Sequence, residues 1–185
     1  MAQADLSSLI KRVLDDIRVE YKDEFDQNFT RQAFFTEAWQ RRKSPTRPGG
    51  AILIDTGALR RSFTVSTSGN AIEFSYAKEY AAIHNTGGTI KVTAKMKRYF
   101  WHKYYEATGS FDRKKSGERS NNKRTRQLST EAEFWKFMAL KKVGSDVKIP
   151  RRQFVGYSPI VEQTVRQIIE DSLTDYFENY EIIMK

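Results

Sequence analysis

Leu6, Leu9, Ile10, Val13, Leu14, Ile17, Tyr21 and Phe25 recur at the three-to-four-residue spacing of a helix, with charged residues on the opposite face. The pattern predicts one amphipathic helix of about five to six turns that lays an apolar stripe on a core. Phe29, Phe34, Phe35 and Trp39 follow without a clean period and read as an irregular aromatic cover ending in Arg41-Arg42-Lys43. Ser44-Pro45-Thr46-Arg47-Pro48-Gly49-Gly50 is expected to be a loop, because its prolines and glycines cannot sit inside a regular element.

After Ile52-Leu53-Ile54, Asp55 or Thr56 is placed to cap a short helix over residues 57–62. Phe63 and Val65, then Ile72, Phe74 and Tyr76, alternate with polar residues on either side of Ser68-Gly69-Asn70. That is a hairpin with one buried face. Residues 77–84 suit a second short helix, stopped by Asn85 and Gly87-Gly88, with Tyr80, Ala81 and Ile83 inward and His84 at its end, where it could bond free carbonyls. Ile90 and Val92 restart a strand.

Residues 94–146 read as an excursion from the sheet. Met96, Tyr99, Phe100, Tyr104 and Ala107 share a helix face, while residues 109–127 lack apolar periodicity and are expected to be a mobile tip. Thr130 and Glu133 match a capping box ahead of Phe134, Phe137 and Met138, with Gly144 as the stop. Val147-Lys148-Ile149 returns to the sheet. Ser158-Pro159 opens a last helix whose buried stripe is expected to be Val161, Val165, Ile168, Ile169, Leu173, Tyr176 and Phe177. The expected fold is α+β: a small antiparallel β-sheet packed by N- and C-terminal amphipathic helices, with a basic helical-hairpin insertion at 94–146, in one domain over 1–185.

Composition sharpens this picture at two points. Zero Cys rules out disulfides, thiolate metal sites and cysteine nucleophiles. No apolar run approaches the length of a membrane span and no signal-peptide pattern precedes the first helix, so a cytoplasmic product without membrane contact is expected. The net charge of +9 belongs to one segment: residues 91–148 hold 16 Lys and Arg against 6 Asp and Glu, a surplus of 10, and the rest is 16 against 17. Such a patch can meet phosphate or an acidic protein face, or be a solvated loop. Its candidate contacts are Arg113, Lys114, Lys115, Arg119, Lys123, Arg124 and Arg126, with Arg151 and Arg152 beyond it. Tyr99, Trp101 and Trp135 could stack on bases or simply pack helices.

One string invites a catalytic reading. Ile52-Leu53-Ile54-Asp55-Thr56-Gly57-Ala58 fits the active-site strand of retroviral-type aspartic proteases, and Phe154-Val155-Gly156 supplies the later apolar-apolar-Gly. Two chains could then share a proton between paired Asp55 carboxylates. That fold is almost all β, however, whereas strong helical stripes stand at both ends of this chain. The simpler role for Asp55 or Thr56 is a helix cap. His84 and His102 have no ligand spacing, so neither a metal nor a cofactor is expected. Pro150 ends ladder pairing, and Arg151 and Arg152 either bracket a buried Phe154 or face a partner.

In order and spacing, the segments Leu53 to Arg60, Tyr76 to Gly88 and Ile149 to Gly156 resemble the Mu-like phage virion morphogenesis (tail completion) family. The likeness runs from about Trp39 to about Leu173: a Trp before a Pro/Gly/basic loop, then Asp55, Thr56, Gly57, Ala58 and Leu59, a hairpin, then Tyr76 and Ala77 with His84, Gly87 and Gly88, a Lys-rich stretch, then Pro150 and Phe154 and a terminal helix. The long aromatic-basic insertion departs from the pattern, as does Arg152, where a small apolar residue or Pro is common. The resemblance implies a non-enzymatic structural protein that acts where the tail is finished and joined to the filled head. Its implied partners are a head-tail connector or tail tube and further copies of itself, in a ring or adaptor, with DNA contact through the insertion. Its implied places are the virion and, during assembly, the cytoplasm of the bacterial host.

Overall fold

The computed structural model describes residues 6–183, with side chains to residue 178. The elements in chain order are α1 (Leu6–Arg31), β1 (Ala33–Phe34), β2 (Glu37–Ala38), α2 (Ala58–Arg61), β3 (Phe63–Ser68), β4 (Ala71–Tyr76), α3 (Ala81–Thr86), β5 (Gly88–Lys91), α4 (Ala94–Gly109), α5 (Lys123–Leu140), β6 (Asp146–Ile149) and α6 (Pro159–Ile183). The fold is α+β. Its strands form three separate antiparallel pairs, β1–β2, β3–β4 and β5–β6, where the alternation pattern had suggested one sheet. The chain makes two compact units: one of residues up to 39, 51–86 and from 152 onward, the other of residues 40–50 and 87–151.

In the first unit α1 is 26 residues long, more than the stripe alone predicted, because Asn28 and Phe29 continue its buried face after Tyr21 and Phe25. The helix ends where Gln32 turns to φ 57°. Two aromatic clusters form on it. Tyr21, Phe25 and Phe34 pack with Phe63 and Phe74 of the hairpin, Phe25 meeting Phe74 edge-on with centroids 5.3 Å apart. Phe29, Trp39, Leu59, Ala81 and Phe154 make the second. The hairpin has the expected register, Phe63 opposite Tyr76 and Val65 opposite Phe74, with Gly69 at φ 56° in its turn. Helix α6 starts as expected: Ser158 Oγ accepts the Val161 N–H at 3.2 Å. The Tyr21 hydroxyl, donating to the Val161 carbonyl at 2.8 Å, ties that start to α1.

Three local expectations are corrected here. Helix α2 has Gly57, not Asp55 or Thr56, at its N-cap, with no side-chain cap bond. Helix α3 starts at Ala81, four residues later than expected, and Tyr80 points outward at 45% exposure. The segment with Phe34 and Phe35 is a tight antiparallel pair with Phe35 at φ 52°.

The second unit holds β5–β6 and the helical hairpin. Thr93 Oγ1 caps α4 by accepting from Met96 N at 3.1 Å. Phe100 of α4 stacks on Trp135 of α5 with centroids 5.8 Å apart, and buried Ala107, Ala132 and Ala139 let the two helices approach. Asn122 caps α5, its Oδ1 accepting from Thr125 N at 2.8 Å. The capping box expected at Thr130 and Glu133 therefore lies inside the helix, where the Thr130 hydroxyl bonds the Arg126 carbonyl at 3.1 Å. The two turns that precede it are polar and leave no apolar period to read. Gln127 donates to the Pro45 carbonyl at 2.8 Å, which holds the Pro/Gly loop to this unit.

Candidate functional site

The motif segments of the first unit converge on one loop, residues 152–157, that has no regular structure of its own. Its buried peptide groups need partners, and side chains supply them. Asn85 Oδ1 accepts from Phe154 N at 2.8 Å and from Val155 N at 3.2 Å, while its Nδ2 donates to the Val155 carbonyl at 3.1 Å. Asn28 Nδ2 donates to the Phe154 carbonyl at 3.2 Å, and Trp39 Nε1 to the Gln153 carbonyl at 2.7 Å. Arg152 N closes the set by donating to the His84 carbonyl at 2.8 Å. Phe154 is thereby held with no exposed surface, its ring 5.3 Å from Phe29 and 4.8 Å from Tyr76.

Asn28, Trp39 and Asn85 were not identified as ligands of this loop from the sequence. Asn28 did carry a signal: it stands at helical spacing with Tyr21 and Phe25, a polar residue on an apolar face, and is fully buried. Asn85 read only as a helix stop.

The segment before α2 is a bend. Leu53 has φ 59° and Gly57 φ 75°, and a Cβ on Gly57 would lie 2.7 Å from Arg61 Nη1. Asp55 and Thr56 are exposed, Thr56 Oγ1 accepting from Ala58 N at 3.3 Å, while Leu59 is buried. Arg60 grips α1 through a two-pronged bond to Asp26, Nε to Oδ1 at 2.6 Å and Nη2 to Oδ2. Asp55 therefore stands on an exposed bend instead of in a strand, and Phe154-Val155-Gly156 is a packed loop. Neither lies in a strand, as the aspartic-protease likeness had them.

Tyr76 stacks on Phe63 with centroids 4.7 Å apart, and burial pushes its phenol well above the ordinary range. Ala77 N donates to the Ser62 carbonyl at 3.1 Å, closing the base of the hairpin. His84 is half-buried, and its Nδ1 has no hydrogen-bond partner among the described residues, contrary to the expected carbonyl contact. Burial, and then the charge of Arg152, lower its pKa from the ordinary 6.5. Among the described residues no group of three or more His, Cys, Asp or Glu could hold a metal.

In the second unit Gly87 has φ 72°, and a Cβ there would sit 2.8 Å from Arg151 N. Only glycine allows that approach. Gly88 pairs with Ile149, and Pro150 follows where the ladder stops. Of the basic residues, Arg113, Lys114, Lys115, Arg119, Lys123, Arg124, Arg126 and Arg151 are exposed. Several also shape the tip between α4 and α5: Arg113 donates to the Gly117 carbonyl at 3.0 Å, Lys114 pairs with Glu118 at 3.3 Å, Arg119 covers Phe111 at 4.2 Å, and Arg124 pairs with Asp112. Arg152 differs from the expectation of a surface contact. It is only 9% exposed and belongs to the packed loop beside His84.

No helix among the described residues is long and apolar enough to cross a membrane. Comparisons with curated proteins and with solved structures returned no match. Residues 7–174 match the phage virion morphogenesis family, and the chain belongs to it.

Proposed function

We propose that this chain is a non-enzymatic structural protein of tail completion or head-tail joining. The observation that carries the reading is the use made of the motif residues. Gly57, Leu59, Tyr76, Gly87 and Phe154 shape and fill the scaffold, and the one suggestive carboxylate, Asp55, is exposed on a bend. Membership of the family supports a role in virion assembly. The partners on this reading are a connector or tail-tube protein and further copies of the chain, met in the host cytoplasm and carried into the virion.

The basic unit favours a supplementary contact with DNA. Residues 40–50 and 87–151 hold 21 Lys and Arg against 6 Asp and Glu, a surplus of 15. Binding of that kind weakens steeply as salt rises. Disruption of the gene in a phage that encodes it tests the main reading by electron microscopy. Filled heads accumulating apart from tails, and joining when purified protein is added, are expected. Normal virions from the disrupted phage overturn it.

A further inference from the structure

The two units carry opposite charge. Against the surplus of 15 in the second, the first has 11 Lys and Arg to 17 Asp and Glu, a deficit of 6. Each unit also leaves an apolar strip uncovered. On α6, Ile169, Leu173 and Phe177, expected in the buried stripe, are instead exposed, one above another at i, i+4 and i+8, at 38%, 37% and 59%. Glu170 and Glu178 lie one step round the helix and are exposed, and Glu162, in line with the strip, pairs with Arg166 at 3.3 Å. From Pro159 to Glu178 there are five acids and one base.

The second strip closes α5. Phe137, Leu140 and Val143 are 62%, 63% and 53% exposed. Lys136, Lys141 and Lys142 frame them with no acid between residues 136 and 142, and Lys141 Nζ lies 4.8 Å over the Phe137 ring. The acids that flank this run are Glu133, one turn before Phe137, and Asp146, which pairs with Lys91.

We infer that these strips are the two halves of one self-association contact: the acidic α6 face of one copy seats on the basic end of α5 of the next. The charges choose the occupant. An α6 face on its own mate, or an α5 end on its own mate, would set like charges around a desolvated apolar centre, which is strongly disfavoured. Acidic on basic pairs the rims while the aliphatic and aromatic strips exclude water. Because the two halves are different surfaces, every contact joins an α6 face to an α5 end, whether two copies exchange both halves about a two-fold axis or pass them on from copy to copy. The inference rests on the assembly reading above and adds the surface by which copies meet.

Sedimentation of the purified full-length chain across concentration, at low and high salt, reads the association directly. Glu170→Lys with Glu178→Lys makes the α6 face basic; Lys136→Glu with Lys141→Glu makes the α5 end acidic. All four positions are solvent-facing or partly so, and circular dichroism checks each variant's fold. Each variant alone is expected to associate about tenfold more weakly, or worse, than the unmodified chain. A mixture of the two, or one chain carrying all four changes, is expected to recover association. Higher salt is expected to weaken the unmodified chain. A wild-type monomer at every concentration overturns the inference, as do oligomers that the reversals leave intact. These outcomes concern the purified chain alone, so they leave the gene-disruption result, and with it the assembly reading, to stand or fall separately.

Discussion

The Asn85 side chain replaces a strand for Phe154: one amide accepts from Phe154 N at 2.8 Å and Val155 N at 3.2 Å and donates to the Val155 carbonyl at 3.1 Å. An irregular loop thereby has its peptide groups bonded, and the Phe154 ring packs in the aromatic cluster with Phe29 and Tyr76.

Asn85→Ala leaves those peptide groups without partners in a half-buried setting, and is expected to destabilise the chain by about 3 kcal/mol. Phe154→Ala, which empties the centre of the same cluster, is expected to cost about 3–5 kcal/mol. Chemical denaturation measures both, and near-wild-type midpoints would show that the loop does not anchor the unit.

Gly87→Ala combines a left-handed φ of 72° with a Cβ only 2.8 Å from Arg151 N, both backbone constraints that cannot relax cheaply. A loss of about 2–3 kcal/mol is expected. Gly69→Ala is the control, since φ is 56° there but nothing lies within 4 Å of the new Cβ. It should cost about 1 kcal/mol. Equal thermal shifts for the two would remove the close approach as a cause.

Much of this fold is legible in the sequence wherever apolar residues keep a period. The stripe from Leu9 to Phe25, the alternation of Phe63, Val65, Phe74 and Tyr76, and Ser158-Pro159 ahead of α6 all state their elements. The pattern fails where polar side chains do the structural work. Asn122 caps α5 eight residues before Thr130, but Lys123, Arg124, Thr125 and Arg126 offer no apolar rhythm. Asn85, and the Nδ2 of Asn28, bond peptide groups more than 65 residues away along the chain, and no local rule reports a partner that distant. Arg152 looked like a surface cation because charge alone does not reveal that its backbone is tied to His84.

The start of α5 gives a sharp comparison. Asn122→Ala removes the side-chain acceptor of Thr125 N and should cost about 1 kcal/mol. Thr130→Ala, inside the helix and exposed, should stay within about 0.5 kcal/mol of the original. The opposite order in thermal melts would restore Thr130 as the cap.

Burial lowers the His84 pKa in the folded chain below its ordinary 6.5, so the unfolded chain binds the extra proton more readily. The folded state thus has its full His84-linked stability above pH 6.5 and loses it as pH falls from there through the folded pKa. In urea titrations at successive pH values, His84→Gln should flatten this acid-side decline. An unchanged slope would place the proton elsewhere.

The account's central claim is that the motif residues build a scaffold and none performs a reaction. The direct measurement is the infectious titre of a phage with this gene disrupted, supplied in trans with the wild-type chain, with Asp55→Asn or with Asn85→Ala. Full titre with Asp55→Asn and a clear loss with Asn85→Ala is the predicted result. A titre with Asp55→Asn as low as with no chain supplied, from a variant that folds normally, would contradict it.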